Sequence, residues 1–272
     1  MKFQNQPSRK NQYLTYLAMS DNFQTLDYGK VAKKIMRFIS SQVKLRKKSG
    51  IVVGLSGGID SSVCLILASR ALSGQIIIGL SMPERHVTPK KDLHTVRSLS
   101  RELKIKYKEI DIYRGKKFLL DNPVKDKLAG GNFSARIRMA LLYYYAATNN
   151  LLVLGTADKS ELMIGYFTKF GDAGADIFPI GELYKTQVRL LGKELELPYQ
   201  ILQQPSSPGF WRGHLAEKEI GLPYQEIDKI LESYQRNQLG KRNFSQKKIK
   251  LVIDLIKKNQ HKKDDVPTCK SF

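Results

Sequence analysis

Short apolar runs alternate with stretches of helical periodicity along this chain. The apolar runs at residues 51–55, 76–82, 107–112 and 151–155 predict four strands, because strands covered on both faces are almost continuously hydrophobic. Strands that alternate with helices are typical of a parallel sheet. We therefore predict an α/β fold: a doubly wound, mainly parallel sheet of the Rossmann-like type, with helices on both faces.

Helices are predicted wherever apolar positions recur every three or four residues. Their predicted spans are 61–72, 88–103, 124–148, 183–195, 224–234 and 245–258, preceded by an amphipathic helix within 30–48. Thr88 is predicted to cap the second of these helices, with Pro89 at its first position. Gly130 and Gly131 are a potential interruption of the long third helix.

The composition is that of an ordinary globular protein, with 42% hydrophobic and 26% charged residues. No apolar run approaches the roughly 20 residues that a membrane-spanning helix needs, and residues 1–10 are too polar for a secretory signal. Cys64 and Cys269 are the two cysteines, too few for a disulfide framework or a four-cysteine zinc site. We therefore expect a cytoplasmic protein without membrane contacts, and a single domain over residues 1–272.

The formal net charge is +21, which favours association with polyanions. Two explanations fit this charge: binding of nucleic acid, or a basic proteome together with a site that handles phosphates. Residues 30–48 carry eight Lys or Arg and no acid, yet their apolar positions follow helical spacing. We therefore interpret these lysines as the solvated face of a helix, and we do not expect a nucleic-acid partner.

A run rich in glycine and serine follows the first predicted strand and opens the first helix. Its residues are Gly54, Leu55, Ser56, Gly57, Gly58, Ile59, Asp60 and Ser61. Adjacent glycines let the backbone turn tightly, so that the N–H groups at the helix start converge on an anion. The run lacks the Gly-Lys-Ser/Thr ending of kinase-like phosphate loops. An acid beside bound phosphates requires a cation between them, so Asp60 is predicted to bind Mg²⁺.

This run resembles the pyrophosphate loop of the ATP pyrophosphatase superfamily. Those enzymes cleave ATP between the α and β phosphates, adenylate a carboxylate or carbonyl group, and let a nitrogen or sulfur nucleophile displace AMP. Within that superfamily, five further segments resemble NAD synthetases. They are residues 132–139, 155–161, 165–176, 179–189 and 207–211, joined by the pair His261 and Lys262. The likeness extends over nearly the whole chain.

The resemblance implies the last step of NAD biosynthesis. In that reaction deamido-NAD (nicotinic acid adenine dinucleotide) is amidated with ammonia, and ATP is converted to AMP and diphosphate through an adenylated carboxylate. It implies that Asp60 and Glu161 share Mg²⁺ and that Lys185 contacts the phosphates, so these three are the predicted catalytic residues. The implied ATP-binding residues are 54–61, Thr156, Lys185 and Ser207. The implied deamido-NAD-binding residues are Arg136, Lys169, Asp176, His261 and Lys262.

The resemblance also implies a homodimer. Relatives that use glutamine carry an additional amidohydrolase domain, and nothing before Gly54 is long enough to be one. We therefore expect no glutaminase domain and free ammonia as the nitrogen donor, while a separate glutaminase partner stays open. Three positions depart from the family's usual residues: Asp158, Pro208 and Ala216.

Two other functions compete with this interpretation. A tRNA-modifying ATP pyrophosphatase would suit the positive charge, but we find no RNA-binding appendage and no paired cysteines for sulfur transfer. A non-catalytic nucleotide-binding module would have no need for Asp60 and Glu161, and both acids are present.

Overall fold

Four parallel strands form the central sheet of the computed structural model, which describes residues 26–120, 125–241 and 244–269. They are β1 (Gly50–Gly54), β2 (Ile76–Ser81), β3 (Lys106–Glu109) and β4 (Leu152–Leu154). Their order across the sheet is β3-β2-β1-β4. In register, Val52 of β1 lies beside Ile78 of β2 and beside Val153 of β4. The predicted α/β class with a parallel sheet is confirmed. The polar start at residues 1–10 lies outside the described residues.

Helices connect the strands and follow them. In chain order the α-helices of the described residues are α1 (Tyr28–Leu45), α2 (Ile59–Ala71), α3 (Lys90–Glu102), α4 (Tyr113–Leu119), α5 (Lys127–Asn149), α6 (Lys159–Ile164), α7 (Lys185–Glu194), α8 (Tyr199–Leu202), α9 (Ala216–Ile220), α10 (Tyr224–Gln235) and α11 (Gln246–Lys258). Short 3₁₀ turns cover Leu239–Lys241 and Gln260–Lys262. Among the described residues, no helix is both long and apolar enough to cross a bilayer.

Alternate residues of β1 point to opposite faces of the sheet, and each face has its own core. Ile51 and Val53 belong to a cluster formed with α1, α2 and α7, whereas Val52 belongs to one that includes Leu142 of α5. Helices therefore cover both faces, as predicted. A third apolar cluster joins α6, α9, α10 and α11 beyond the sheet and includes Ile227, which is fully buried.

The strand order places a topological switch point beside β1. The chain moves outward from β1 to β2 and β3, and β4 then returns to the other side of β1. Crossovers on either side of this point diverge to opposite faces, so a crevice opens where β1 and β4 end. Residues 55–61 follow β1 and residues 155–161 follow β4, so both predicted functional segments meet at this crevice.

Two local predictions are wrong. Thr88 does not cap α3, because its Oγ1 accepts a hydrogen bond from the Glu84 N–H (3.0 Å) and the helix begins after Pro89. Gly130 and Gly131 do not interrupt α5. A Cβ at Gly131 would lie 2.2 Å from the Phe210 ring, so this glycine makes room for a packed aromatic side chain.

Candidate active site

The glycine-serine run forms a tight turn between β1 and α2, closed by its own serines. Ser56 Oγ accepts a hydrogen bond from the Gly58 N–H (3.2 Å) and lies 3.1 Å from Ser61 Oγ. The hydroxyls of Ser61 and Ser62 both donate to the Gly58 carbonyl (3.1 and 2.8 Å). These bonds fix the turn in front of the N-terminus of α2, where N–H groups without a helical partner favour an anion.

Gly57 is the position in this turn that requires glycine. Its φ is +83°, a left-handed conformation that L side chains rarely adopt. A Cβ there would also lie 2.9 Å from both the Cβ and the carbonyl oxygen of Asp92 on α3. Asp92 Oδ1 in turn accepts a hydrogen bond from Gln204 Nε2 (3.1 Å). The turn thus contacts α3 at Asp92. The same residue joins α3 to the segment that leads to Ser207.

A buried lysine gathers three carboxylates beside this turn. Lys185 Nζ lies 2.7 Å from Asp60 Oδ2, 2.7 Å from Asp158 Oδ2 and 2.8 Å from Glu161 Oε1. The sequence placed Asp60, Glu161 and Lys185 in the catalytic centre, and the structure brings all three together. It also adds Asp158, which the sequence singled out only as a departure from the usual family residue.

Each group of this cluster comes from the start of a helix. Asp60 lies in the first turn of α2, Asp158 is the N-cap of α6, Glu161 is the third residue of α6, and Lys185 opens α7. Asp158 and Glu161 form a capping box, in which the Asp158 carboxylate accepts from the Glu161 N–H (2.9 Å). The cluster is therefore built from helix N-termini, which stabilise negative charge.

Asp228 of α10 supports the cluster from behind. Its carboxylate accepts the Ser160 hydroxyl (2.5 Å) and the Thr186 N–H (2.9 Å), while Ser160 Oγ accepts the Lys185 N–H (2.9 Å). Burial raises the pKa of Asp228 to about 7. This buried network joins α6 to α7 and fixes the direction in which Lys185 leaves its helix.

Burial and mutual repulsion dominate the electrostatics of the cluster. Burial raises the pKa of both Asp158 and Glu161, and the neighbouring acids raise each of them further. Burial alone would lower the pKa of Lys185, but the three carboxylates outweigh it and hold the pKa of the ammonium well above its usual value. One lysine thus faces three carboxyl groups, and its positive charge counteracts the rise in the pKa of Asp158 and of Glu161.

The same acids fit a hard divalent cation. One oxygen from each of Asp60, Asp158 and Glu161 lies within 4.8 Å of the others, and carboxylate oxygens are the ligands that Mg²⁺ prefers. Asp60 Oδ1 is buried and has no hydrogen-bond partner among the described residues. An unpartnered buried carboxylate oxygen is costly. A cation bound at this place would satisfy it.

Four of the five predicted deamido-NAD residues meet beside the cluster. Arg136 of α5 donates to the Lys169 carbonyl (3.3 Å), and Lys169 Nζ donates to the His261 carbonyl (2.7 Å). Lys262 Nζ donates to the carbonyls of Gly165 and Phe167 (2.8 and 3.0 Å). The loop after α6 thus connects α5 with the C-terminal 3₁₀ turn, and it concentrates positive charge there.

The other predicted residues lie at separate places around the crevice. Asp176 lies along β4, where its Oδ2 accepts the Val153 N–H (2.7 Å), and no described contact joins it to the lysines. Thr156 follows the end of β4 and is half-buried, whereas Ser207 is exposed and its Oγ accepts the Gly209 N–H (3.1 Å). These three assignments, like those of the other substrate-binding residues, stay predictions.

Aromatic packing holds the 205–213 segment that follows α8. The Trp211 ring stacks on His214 with centroids 3.5 Å apart, and His214 Nε2 lies 2.8 Å from Glu219 Oε2. The Tyr166 hydroxyl donates to the same carboxylate oxygen. The Phe210 ring adjoins the stacked pair, with its centroid 6.4 Å from that of Trp211. Through Tyr166, the segment is linked to the loop that carries Lys169.

Two residues at the cluster, Asp158 and Tyr224, were not predicted from the sequence. Asp158 could have been found, since an acid at an N-cap three residues before Glu161 is a capping-box pattern. Tyr224 gave no sequence signal, because it reaches the site only through the fold. Its ring centroid lies 5.2 Å from Lys185 Nζ, and its buried hydroxyl has no hydrogen-bond partner among the described residues.

Comparison with known proteins points to one family. The family model for NAD synthase matches residues 31–266. The NH(3)-dependent NAD(+) synthetase of Sulfurisphaera tokodaii is 44% identical over 251 residues, which are 88% of each chain.

Two solved structures are similar in fold and in sequence. An NMN synthetase from Francisella tularensis has a TM-score of 0.82 at 33% identity, covering 90% of this chain and 99% of its own. An NH3-dependent NAD synthetase from Campylobacter jejuni has a TM-score of 0.78 at 32% identity, covering 90% and 100%.

Proposed function

The chain belongs to the NAD synthase family, and from this premise we propose that the Lys185 cluster is the centre at which it converts deamido-NAD to NAD. The enzyme is a ligase that uses ATP to form a C–N bond between the nicotinate carboxyl group and ammonia. ATP leaves as AMP and diphosphate. The reaction passes through an adenylated carboxylate, as it does throughout the family.

The observation that carries the assignment is the position of Lys185 between Asp60 and Glu161, in front of the turn at residues 54–61. The turn offers backbone N–H groups and the hydroxyl of Ser56 to the β and γ phosphates. Asp60 and Glu161 would hold Mg²⁺, which neutralises charge on the departing diphosphate. Lys185 supplies a second positive charge at the same place.

No nucleophilic side chain is required, because the substrate carboxylate itself attacks the α-phosphorus. The protein's task is to bring two multiply anionic substrates together and to orient them. Arg136, Lys169 and Lys262 supply the positive charge that this requires on the deamido-NAD side. His261 and Asp176 complete that proposed subsite, and Thr156 and Ser207 complete the one for ATP.

Ammonia must reach the adenylate before water does, or ATP is consumed without product. The 205–213 segment is a suitable cover, because it packs on α5 through Phe210 and contacts Glu219 through His214. Movement of this segment would open and close the crevice. We propose that ammonia enters this closed site directly, either free or from a separate glutaminase.

An endpoint assay tests the function. With ATP, Mg²⁺ and deamido-NAD, we expect NAD, AMP and diphosphate in equal amounts with ammonium, and at most a trace with glutamine. Nicotinic acid mononucleotide replaces deamido-NAD in a parallel reaction, since one structural neighbour is named an NMN synthetase. Faster amidation of the mononucleotide would identify it as the preferred substrate, and the proposed type of reaction would stand. If AMP were released only in the presence of tRNA, the enzyme would instead be a tRNA-modifying ATP pyrophosphatase.

We also propose a homodimer in a reducing compartment, the cytoplasm. Large apolar side chains lie exposed on and near α4 and α5, among them Phe118, Leu128 and Tyr144, and a second copy of the chain would cover such side chains. Cys64 and Cys269 are both free. Sedimentation at micromolar concentration should give about twice the 31.0 kDa chain mass. A fully active monomer would contradict the dimer and leave the reaction unaffected.

A further inference from the structure

The three carboxylates around Lys185 are not equivalent in their exposure. The side chains of Asp158 and Lys185 are 0% exposed, whereas those of Asp60 and Glu161 are 21% and 20% exposed. Asp158 therefore contacts the ammonium from the protein interior. Asp60 and Glu161 contact it from the side that is open to the crevice.

Asp158 also uses its two oxygens for different purposes. Oδ1 accepts the N–H of Glu161 and caps α6 (2.9 Å), a role that asparagine or serine fills as well. Oδ2 is buried and lies 2.7 Å from Lys185 Nζ, and within the described part of the chain it has no hydrogen-bond partner besides that ion pair. A cap requires no second charged oxygen, so capping does not account for the buried charge on Oδ2.

A cation that enters from the crevice meets Asp60 and Glu161 first, and there it competes with the lysine. If those two acids were the lysine's sole partners, magnesium would leave a buried ammonium unpaired, which is strongly unfavourable. Asp158 removes this conflict, because it stays paired with Lys185 while the other two acids exchange partners. The cluster can then hold the lysine and the metal at the same time.

We propose that Asp158 is a positioning residue that retains Lys185 in the site while Asp60 and Glu161 bind the magnesium–ATP complex. This inference rests on the proposed function, since it assigns the metal to those two acids. Although an Asp158 oxygen lies within 4.8 Å of the oxygens of Asp60 and Glu161, this scheme assigns Asp158 to the lysine, and it touches neither substrate nor metal. It acts through the ammonium group.

The test uses Asp158→Asn and Asp158→Ser in the full chain, because both retain a capping oxygen and lack the second carboxylate oxygen. We expect KM for magnesium–ATP to rise roughly 10- to 100-fold, the range found when a partner behind a metal ligand is removed. The second readout is thermal unfolding with and without Mg²⁺ and a non-hydrolysable ATP analogue. The melting temperature without ligand should be retained, while the increase caused by the ligand should shrink.

Asp27→Asn is the matched control, since Asp27 caps α1 through its Oδ1 (2.9 Å to the Lys30 N–H) far from the cluster. It should leave KM and the ligand-induced shift unchanged. An unchanged KM and ligand-induced shift in both Asp158 variants would overturn the proposal. A lower melting temperature without ligand, with KM and the ligand-induced shift unchanged, would also overturn it, because Asp158 would then act only as the N-cap of α6. If wild-type protein forms no NAD, it is the proposed function that fails.

Discussion

Asp60→Asn is expected to lower the rate of NAD formation by about a thousandfold or more, which corresponds to ~4 kcal/mol of transition-state stabilisation. The amide retains the shape of the carboxylate but loses the charge that would hold a divalent cation beside the triphosphate. The fold should persist, because Lys185 keeps Asp158 and Glu161 as partners. Initial rates of AMP and NAD release measure the loss of activity. Circular dichroism and a melting curve measure whether the fold persists.

Asp254→Asn is the control for charge removal alone. Asp254 lies exposed on α11 and pairs with Lys250 (2.7 Å) far from the crevice, and such surface pairs contribute little to stability. Its variant should match wild type in rate. A near-normal rate for Asp60→Asn would remove Asp60 from the metal site. Unfolding of that variant would show that the ion pair with Lys185 is structural.

Lys185→Met is expected to destabilise the fold by roughly 3–5 kcal/mol at neutral pH and to abolish turnover. The substitution keeps the length of the side chain but removes the ammonium group that Asp60, Asp158 and Glu161 all contact. Breaking a buried pair by removing one partner is costly because the remaining charge stays unpaired. Urea denaturation measures the free energy of unfolding.

The loss of stability in Lys185→Met should depend on pH. Burial raises the pKa of Asp158 and Glu161 in the folded protein, and without the ammonium that favours their charged forms the pKa values should rise further. Groups with a raised folded pKa bind more protons in the folded than in the unfolded state, so their contribution to stability falls as pH rises through the folded pKa. Lys185→Met should therefore be closer to wild type at pH 5 than at pH 8.

Lys193→Met on the same helix is the matched control, because Lys193 is exposed. It should unfold like wild type at both pH values. Equal destabilisation of Lys185→Met at pH 5 and pH 8 would contradict the electrostatic explanation. Such a result would point to lost packing of the lysine's methylene chain instead.

The pattern of the chain determined the fold class and the glycine-serine turn at residues 54–61. The short, continuous apolar runs of β1 and β2 are typical of strands buried on both faces, and their alternation with helices indicates a parallel sheet. Residues 54–61 were recognisable because their backbone geometry depends on local glycines. Such features arise from neighbours in sequence, so a single sequence is sufficient to predict them.

Contacts between distant segments could not be predicted in this way. Lys185 meets Asp60 across 125 positions of the chain, and which oxygen faces its ammonium depends on how α2, α6 and α7 pack together. The same packing buries Asp158 and brings Tyr224 to the lysine. The resemblance to relatives implied that Asp60, Glu161 and Lys185 are functional residues, but it did not predict the ion pairs between them.

The sequence by itself determined the order of strands and helices along the chain, the glycine-serine turn and the family. Each of these is encoded in residues that are close together or follow a fixed period. Only the tertiary structure decided that one buried lysine shares three acids, with one acid on the inner side and two toward the crevice. Burial and charge balance of this kind depend on every element that surrounds a group, and no local stretch of sequence contains them.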